Sequence, residues 1–104
     1  MVSVVCVIEL NPGCREAFLN EFAQIVPAVR AEDGCLDYRP TIDTETDIDR
    51  QAPMRDNSVT VIERWESIDA LKAHLVAPHM LTYREKIKDY VAGASLHILE
   101  DAVE

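Results

Sequence analysis

Val59-Thr60-Val61-Ile62-Glu63-Arg64-Trp65-Glu66-Ser67, followed by Ile68-Asp69-Ala70-Leu71-Lys72-Ala73-His74-Leu75 and then Pro78-His79, decides the fold. Its first part reads as an apolar strand that carries the lone tryptophan to its exit. Ser67 then caps an amphipathic helix with Asp69 in the first turn and a proline fixing its end. In the strand, Val59, Val61, Glu63 and Trp65 share one face, and Thr60, Ile62 and Arg64 the other. In the helix, Ile68, Leu71 and Leu75 mark the buried side. A large aromatic and two imidazoles, His74 and His79, thus gather at one end of a small domain, as a pocket for a flat organic molecule requires.

Upstream, Val2 to Leu10 is almost continuously apolar and ends at Asn11-Pro12-Gly13, a strand followed by a turn. A strand without polar alternation is usually covered on both faces. The next helix runs from about Pro12 or Gly13 to Ala31, with Phe18, Phe22, Ile25, Val26 and Val29 on one stripe. Pro27 takes away the hydrogen bond to the Ala23 carbonyl, which predicts a kink or the end of a first helical segment. Gly34 supplies a left-handed stop. A second strand extends from Cys35 to about Asp43, and Pro40 confines its far half to an edge or a bulge. Residues 43–57 are polar and aperiodic, either a flap over a site or a dimer contact, or simply a loose loop.

Downstream, a second helical piece after Pro78 carries Met80, Tyr83, Ile87, Tyr90 and Val91 at spacings of three and four. Gly93 ends it, and Ala94 to Leu99 forms the fourth strand. The order β-α-β-β-α-β is an α+β, ferredoxin-like plan, read as one domain over residues 1–104. Helices cover only one face of such a sheet. With strands apolar on both faces, the second face is expected to meet an identical sheet, giving a homodimer with a barrel-like core.

Composition narrows the function classes. At 104 residues and 48% hydrophobic, the chain carries more apolar surface than a monomer of this size hides, again favouring an oligomer. Ten basic against 19 acidic residues leave a net charge of −9, which repels phosphate backbones and argues against nucleic acid as a partner. An anionic ligand would need a local basic group, Arg64 or Arg84. No basic leader precedes the first strand and no run approaches membrane-spanning length, so a cytoplasmic protein without a membrane span is expected. Cys6, Cys14 and Cys35 have no C-x-x-C spacing and suggest neither disulfides nor zinc; Cys6 reads as a small core residue.

The succession of Asn11-Pro12-Gly13, the Phe18 and Phe22 helix, Glu32-Asp33-Gly34-Cys35-Leu36-Asp37-Tyr38, Ile62-Glu63-Arg64-Trp65-Glu66-Ser67, and Leu71-Lys72-Ala73-His74-Leu75 with Pro78-His79 resembles the antibiotic biosynthesis monooxygenase domain over essentially the whole chain. Ile25-Val26-Pro27, the long loop and Pro78-His79-Met80 look most like the bacterial quinol monooxygenases. The resemblance implies a dimeric α/β barrel. It also implies oxygenation of electron-rich hydroquinones of menadiol type with dioxygen, without flavin, haem or metal, and so no bound cofactor. Haem-degrading relatives rely on an asparagine in the first strand, and polyketide-oxidising members use one near the tryptophan-bearing strand. Residues 2–10 and 58–65 contain none, which argues against haem degradation.

Oxygenation without a cofactor needs a substrate that is ionised in a dry cavity, and hence a base and donors for the resulting anion. Trp65 can wall such a cavity and donate its indole N–H, or pack in the core. His74, at the border of the Leu71 and Leu75 stripe, can serve as the base or be an ordinary boundary histidine. Glu63 is a second candidate base or half of a structural ion pair. These three are the expected catalytic residues. Tyr38, His79, Met80, Tyr83 and Arg84 are the expected substrate-binding residues, with core packing, helix capping or plain solvation as their alternatives. His74 and His79 lack the i,i+4 spacing of a metal pair, so no metal site is expected. The other functional class consistent with the residues is a non-enzymatic dimeric module that binds a small aromatic or serves a stress-response partner without turnover.

Overall fold

Central position in the sheet belongs to the most apolar strand. In the computed structural model, which describes residues 1–103, β1 (Val2–Leu10) pairs antiparallel with both β3 (Ser58–Trp65) and β4 (Val91–Leu99), and β2 (Cys35–Thr41) pairs with β3, giving the order β2-β3-β1-β4. Helices α1 (Arg15–Arg30), α2 (Ile68–Leu75) and α3 (Pro78–Ile87) complete the ferredoxin-like arrangement. Inner positions Val4 and Ile8 of β1 and Val59, Val61 and Trp65 of β3 pack beneath Phe18, Phe22, Ile25 and Val29 of α1 and Met80, Tyr83 and Ile87 of α3. Burial of these side chains, at about 1.5–3 kcal/mol each, is the main force closing helices onto sheet.

Several local expectations hold for identifiable reasons. Pro40 lies on β2, an edge strand, where a missing N–H costs no ladder bond. Gly34 has φ +82°, and a Cβ there would stand 2.6 Å from Cβ of Ala70, so both the backbone and the seating of α2 require glycine. Ser67 Oγ accepts from the Ala70 N–H at 3.1 Å and opens α2 at Ile68.

Others are corrected. Pro27 does not end α1, which runs on to Arg30; Pro27 and Ala23 both face solvent, so water can satisfy the freed carbonyl. Ile68 is exposed, and the buried side of α2 is Leu71 with His74. The last helix stops at Ile87 rather than Gly93. Tyr90 and Val91 leave the helical stripe because the Asn11 N–H donates to the Tyr90 carbonyl and Leu10 pairs with Val91, which draws the chain into β4. Gly93 lies inside that strand opposite Glu9, next to a bulge. The second strand ends at Thr41. The outer sheet face is less apolar than expected: Val5, Val7 and Ile62 are half-buried there among Ser3, Thr60, Arg64, Ser95 and His97.

The loop after β2 is tied down at its base. Arg55 donates to Asp43 from Nε at 2.9 Å and Nη2 at 2.7 Å, which holds the Asp43 carboxyl low, at about 2.

Candidate active site

Between the helices and the inner sheet face lies a cavity of about 330 Å³, within the usual range of roughly 300–1,000 Å³ for small-molecule sites. Cys6, Val61 and Glu63 form its floor from β1 and β3. Tyr38 of β2 and His74 of α2 stand at one side, and Met80, Tyr83 and Arg84 of α3 cover it. Ala94 and Leu96 of β4 also line it but are exposed, because no helix reaches over this edge of the sheet. The cavity therefore opens past β4, beside the uncovered side chains of Leu96 and Ile98.

The aromatic rings are held by one another. Phe22 stacks on Tyr38 with ring centres 5.5 Å apart and planes 8° from parallel, and meets Tyr83 edge-on at 5.9 Å. These contacts fix both phenols while leaving their hydroxyls free. Neither hydroxyl has a hydrogen-bond partner among the described residues, yet no buried polar atom is left unpaired, so both open on the cavity. Burial, with Glu63 nearby, pushes the Tyr38 phenol well above its ordinary range; burial does the same for Tyr83. Both are neutral hydrogen-bond donors at physiological pH.

Glu63 is 5% exposed, and burial pushes its carboxyl up to about 7, partly opposed by the Trp65 indole N–H, which donates to Oε1 at 2.9 Å. The carboxyl is thus divided between its charged and neutral forms near neutrality. Its neighbour on the floor, the Cys6 thiol, is pushed up to about 11 by burial and by Glu63, and so stays protonated.

His74, 2% exposed, is moved the opposite way: burial lowers its pKa, while the hydrogen bond to Glu32 pulls it back. Its ring lies 4.6 Å from the Trp65 ring and edge-on to Tyr38. Nδ1 of His74 is 2.9 Å from Oε2 of Glu32, and Nε2 of His79 reaches the same oxygen at 2.8 Å. Arg84 lines the cavity and spends Nη1 on the Leu75 carbonyl at 2.6 Å, closing the end of α2.

Six of the eight residues singled out from the sequence, Tyr38, Glu63, His74, Met80, Tyr83 and Arg84, line this cavity. Two do not. Trp65 is fully buried one layer behind, because the i,i+2 spacing on one strand face lets its indole fold back onto Glu63; it supports the carboxyl and does not wall the chamber. His79 points to a separate cleft between α1 and α3, beside Glu21, Gln24 and Lys86, because Glu32 holds its ring there. Two residues given no site role join it: Cys6, which reaches the floor, and Glu32, which binds both imidazoles. The Cys6 position was legible, since it alternates with Val4 and Ile8 on the inner face. No cluster of three or more His, Cys, Asp or Glu suited to a metal ion occurs among the described residues.

The chain is similar to known proteins over its whole length. Residues 1–86 match the family model for antibiotic biosynthesis monooxygenase. The chain is 40% identical over 105 residues to the "Probable quinol monooxygenase YgiN" of Escherichia coli K12, with 99% of this chain and 100% of that protein covered, and equally to the protein of that name from Shigella flexneri. Among solved structures it resembles PA3566 from Pseudomonas aeruginosa, with TM-score 0.81 and 24% identity over 98% of this chain and 94% of that one. Rv0793 from Mycobacterium tuberculosis gives TM-score 0.80 and 24% identity over 99% and 96%. At that identity the structures speak for the fold alone. On the family match and the full-length relative, the chain belongs to the antibiotic biosynthesis monooxygenase family.

Proposed function

We propose that this protein is a quinol monooxygenase that oxidises small hydroquinones of menadiol type with dioxygen and without a bound cofactor. The observation that carries the reading is the company His74 keeps. A neutral imidazole with Nε2 free, a carboxyl poised near pH 7 and two neutral phenols converge on one apolar cavity. His74 takes the proton of a quinol hydroxyl, and the quinolate is then a strong enough electron donor for dioxygen. Tyr38 and Tyr83 donate to the substrate oxygens as charge develops, and a ring seated among the apolar lining side chains would displace water from them. Hydroquinone and dioxygen give a hydroxylated quinone and water, so all electrons come from the substrate. The proton held by His74 leaves in the water, and Glu63 is the second group able to carry one.

The proposal includes a homodimer. Val5, Val7 and Ile62 on the outer sheet face, and Leu96, Ile98 and Leu99 on β4, form apolar surface that no element among the described residues covers. A second copy laid against the sheet would cover the outer-face part of it. Light scattering is expected to give twice the chain mass, and Ile62→Lys is expected to give one.

The functional test is oxygen consumption with menadiol, corrected for autoxidation. Uptake well above the blank is expected. Uptake equal to the blank alongside saturable quinone binding would replace the enzyme with a module that only binds small aromatics.

A further inference from the structure

Two imidazoles share one carboxylate oxygen. Oε2 of Glu32 lies 2.9 Å from Nδ1 of His74 and 2.8 Å from Nε2 of His79, while its own side chain is only 14% exposed. A carboxylate can only accept, so both nitrogens must carry hydrogens. For a neutral His74 this selects the Nδ1–H form, the less common one for a free imidazole, and leaves Nε2 as a bare acceptor. Nε2 has no partner among the described residues, and no buried polar atom is unpaired, so it opens on the cavity that His74 lines.

We infer that Glu32 is the positioning residue of the cavity base: its shared oxygen holds His74 in the form whose free Nε2 faces the substrate, and His79 braces that oxygen from the solvent side. This builds on His74 as the base proposed above. Glu32 sits just after α1, and its N–H and carbonyl are bonded to the Val29 carbonyl and the Cys35 N–H, so the carboxylate projects from a fixed turn. His79, in the first turn of α3, is 29% exposed at its side chain and restrains the carboxylate without reaching the cavity. When His74 accepts a proton, the Glu32 charge stabilises the imidazolium, the usual task of a carboxylate behind a catalytic histidine. The other groups facing His74 are Tyr38 from β2, Glu63 and Trp65 from β3, and Arg84 from α3. Arg84 and His79, when charged, both oppose the imidazolium, so Glu32 is the group that favours it.

The test combines 15N-imidazole NMR of the full chain with menadiol-dependent oxygen uptake across pH. The wild type is expected to show His74 as the Nδ1–H tautomer. Glu32→Gln keeps an acceptor but not the charge. It should retain the tautomer, lower kcat by about 10- to 100-fold with quinol KM little changed, and move the acid limb of kcat/KM to lower pH, since losing a nearby anion lowers the His74 pKa. Glu32→Ala should convert His74 largely to the Nε2–H tautomer. An Nε2–H signal in the wild type, an unchanged tautomer in Glu32→Ala, or an unchanged pH profile in Glu32→Gln would overturn the assignment. Should the wild type consume no oxygen, the quinol reading fails while the spectra still decide the role of Glu32.

Discussion

The two faces of β3 begin from the same strand and meet different fates. On the inner face Val59, Val61, Glu63 and Trp65 are all buried, and on the outer face Thr60 and Ile62 are half-buried and Arg64 is exposed. Alternation alone puts a carboxyl inside an apolar layer, where its desolvation is offset by only one strong donor, Trp65. Arg64, the one charged residue on the outer face of the strand, reaches solvent. A residue's chemistry here is set less by its type than by its parity along the strand.

That contrast can be broken at graded cost. The largest effect is expected at the cavity side: His74→Ala should lower menadiol-dependent oxygen uptake by about 10²–10⁴-fold, the range for removing a general base, as read by kcat with folding checked by circular dichroism. Next is Glu63→Gln. The folded-state carboxyl is raised from 4.5 to about 7, so the native state is favoured while Glu63 is protonated, and stability is lost as pH rises through that window. The wild type should therefore lose stability between about pH 5 and 8, by on the order of 3 kcal/mol at most. Glu63→Gln, still accepting from Trp65, should melt higher than the wild type at pH 8 and nearly level with it at pH 5. A larger melting gap at pH 5 would reverse the sign of the argument.

Trp65→Phe sharpens the same point from behind the cavity. Losing the indole N–H and part of the ring should cost about 2 kcal/mol in chemical denaturation, and the acid group seen in pH–rate data should move upward because Glu63 loses its donor. On the opposite face, Arg64→Ala should stay within about 0.5 kcal/mol. An Arg64 effect comparable to that of Trp65 would mean that the faces are not as unequal as their burial indicates.

Much of this was legible in the sequence where a short-range period governs. The stripe of Phe18, Phe22, Ile25 and Val29, the parity of Glu63 and Trp65, and the Ser67 cap depend on neighbours within a turn or a pleat. The end of α3 was not legible. Tyr90 and Val91 continue the helical spacing, and only pairing with Leu10 and the turn bond from Asn11, some 80 residues away in sequence, pull them into β4. Within the site, Met80 and Tyr83 could be named from their inward stripe, Glu63 from its strand face and His74 from the border of the Leu71 and Leu75 stripe, while Tyr38 and Arg84 were named for their chemistry alone. Glu32 could not be given its role, since its partners lie 42 and 47 positions further along and meet it only once α2 is seated on Gly34. Trp65 was placed on the right face, but whether its indole turned to the cavity or to Glu63 was a rotamer choice that spacing does not encode.

The most direct test of the central claim is a crystal structure with menadione bound. The naphthoquinone is expected within the cavity over Cys6, with one oxygen within hydrogen-bond distance of a Tyr38 or Tyr83 hydroxyl and His74 Nε2 facing the ring substituents. Quinone found only in the His79 cleft between α1 and α3, with the cavity filled by rearranged side chains, would contradict it.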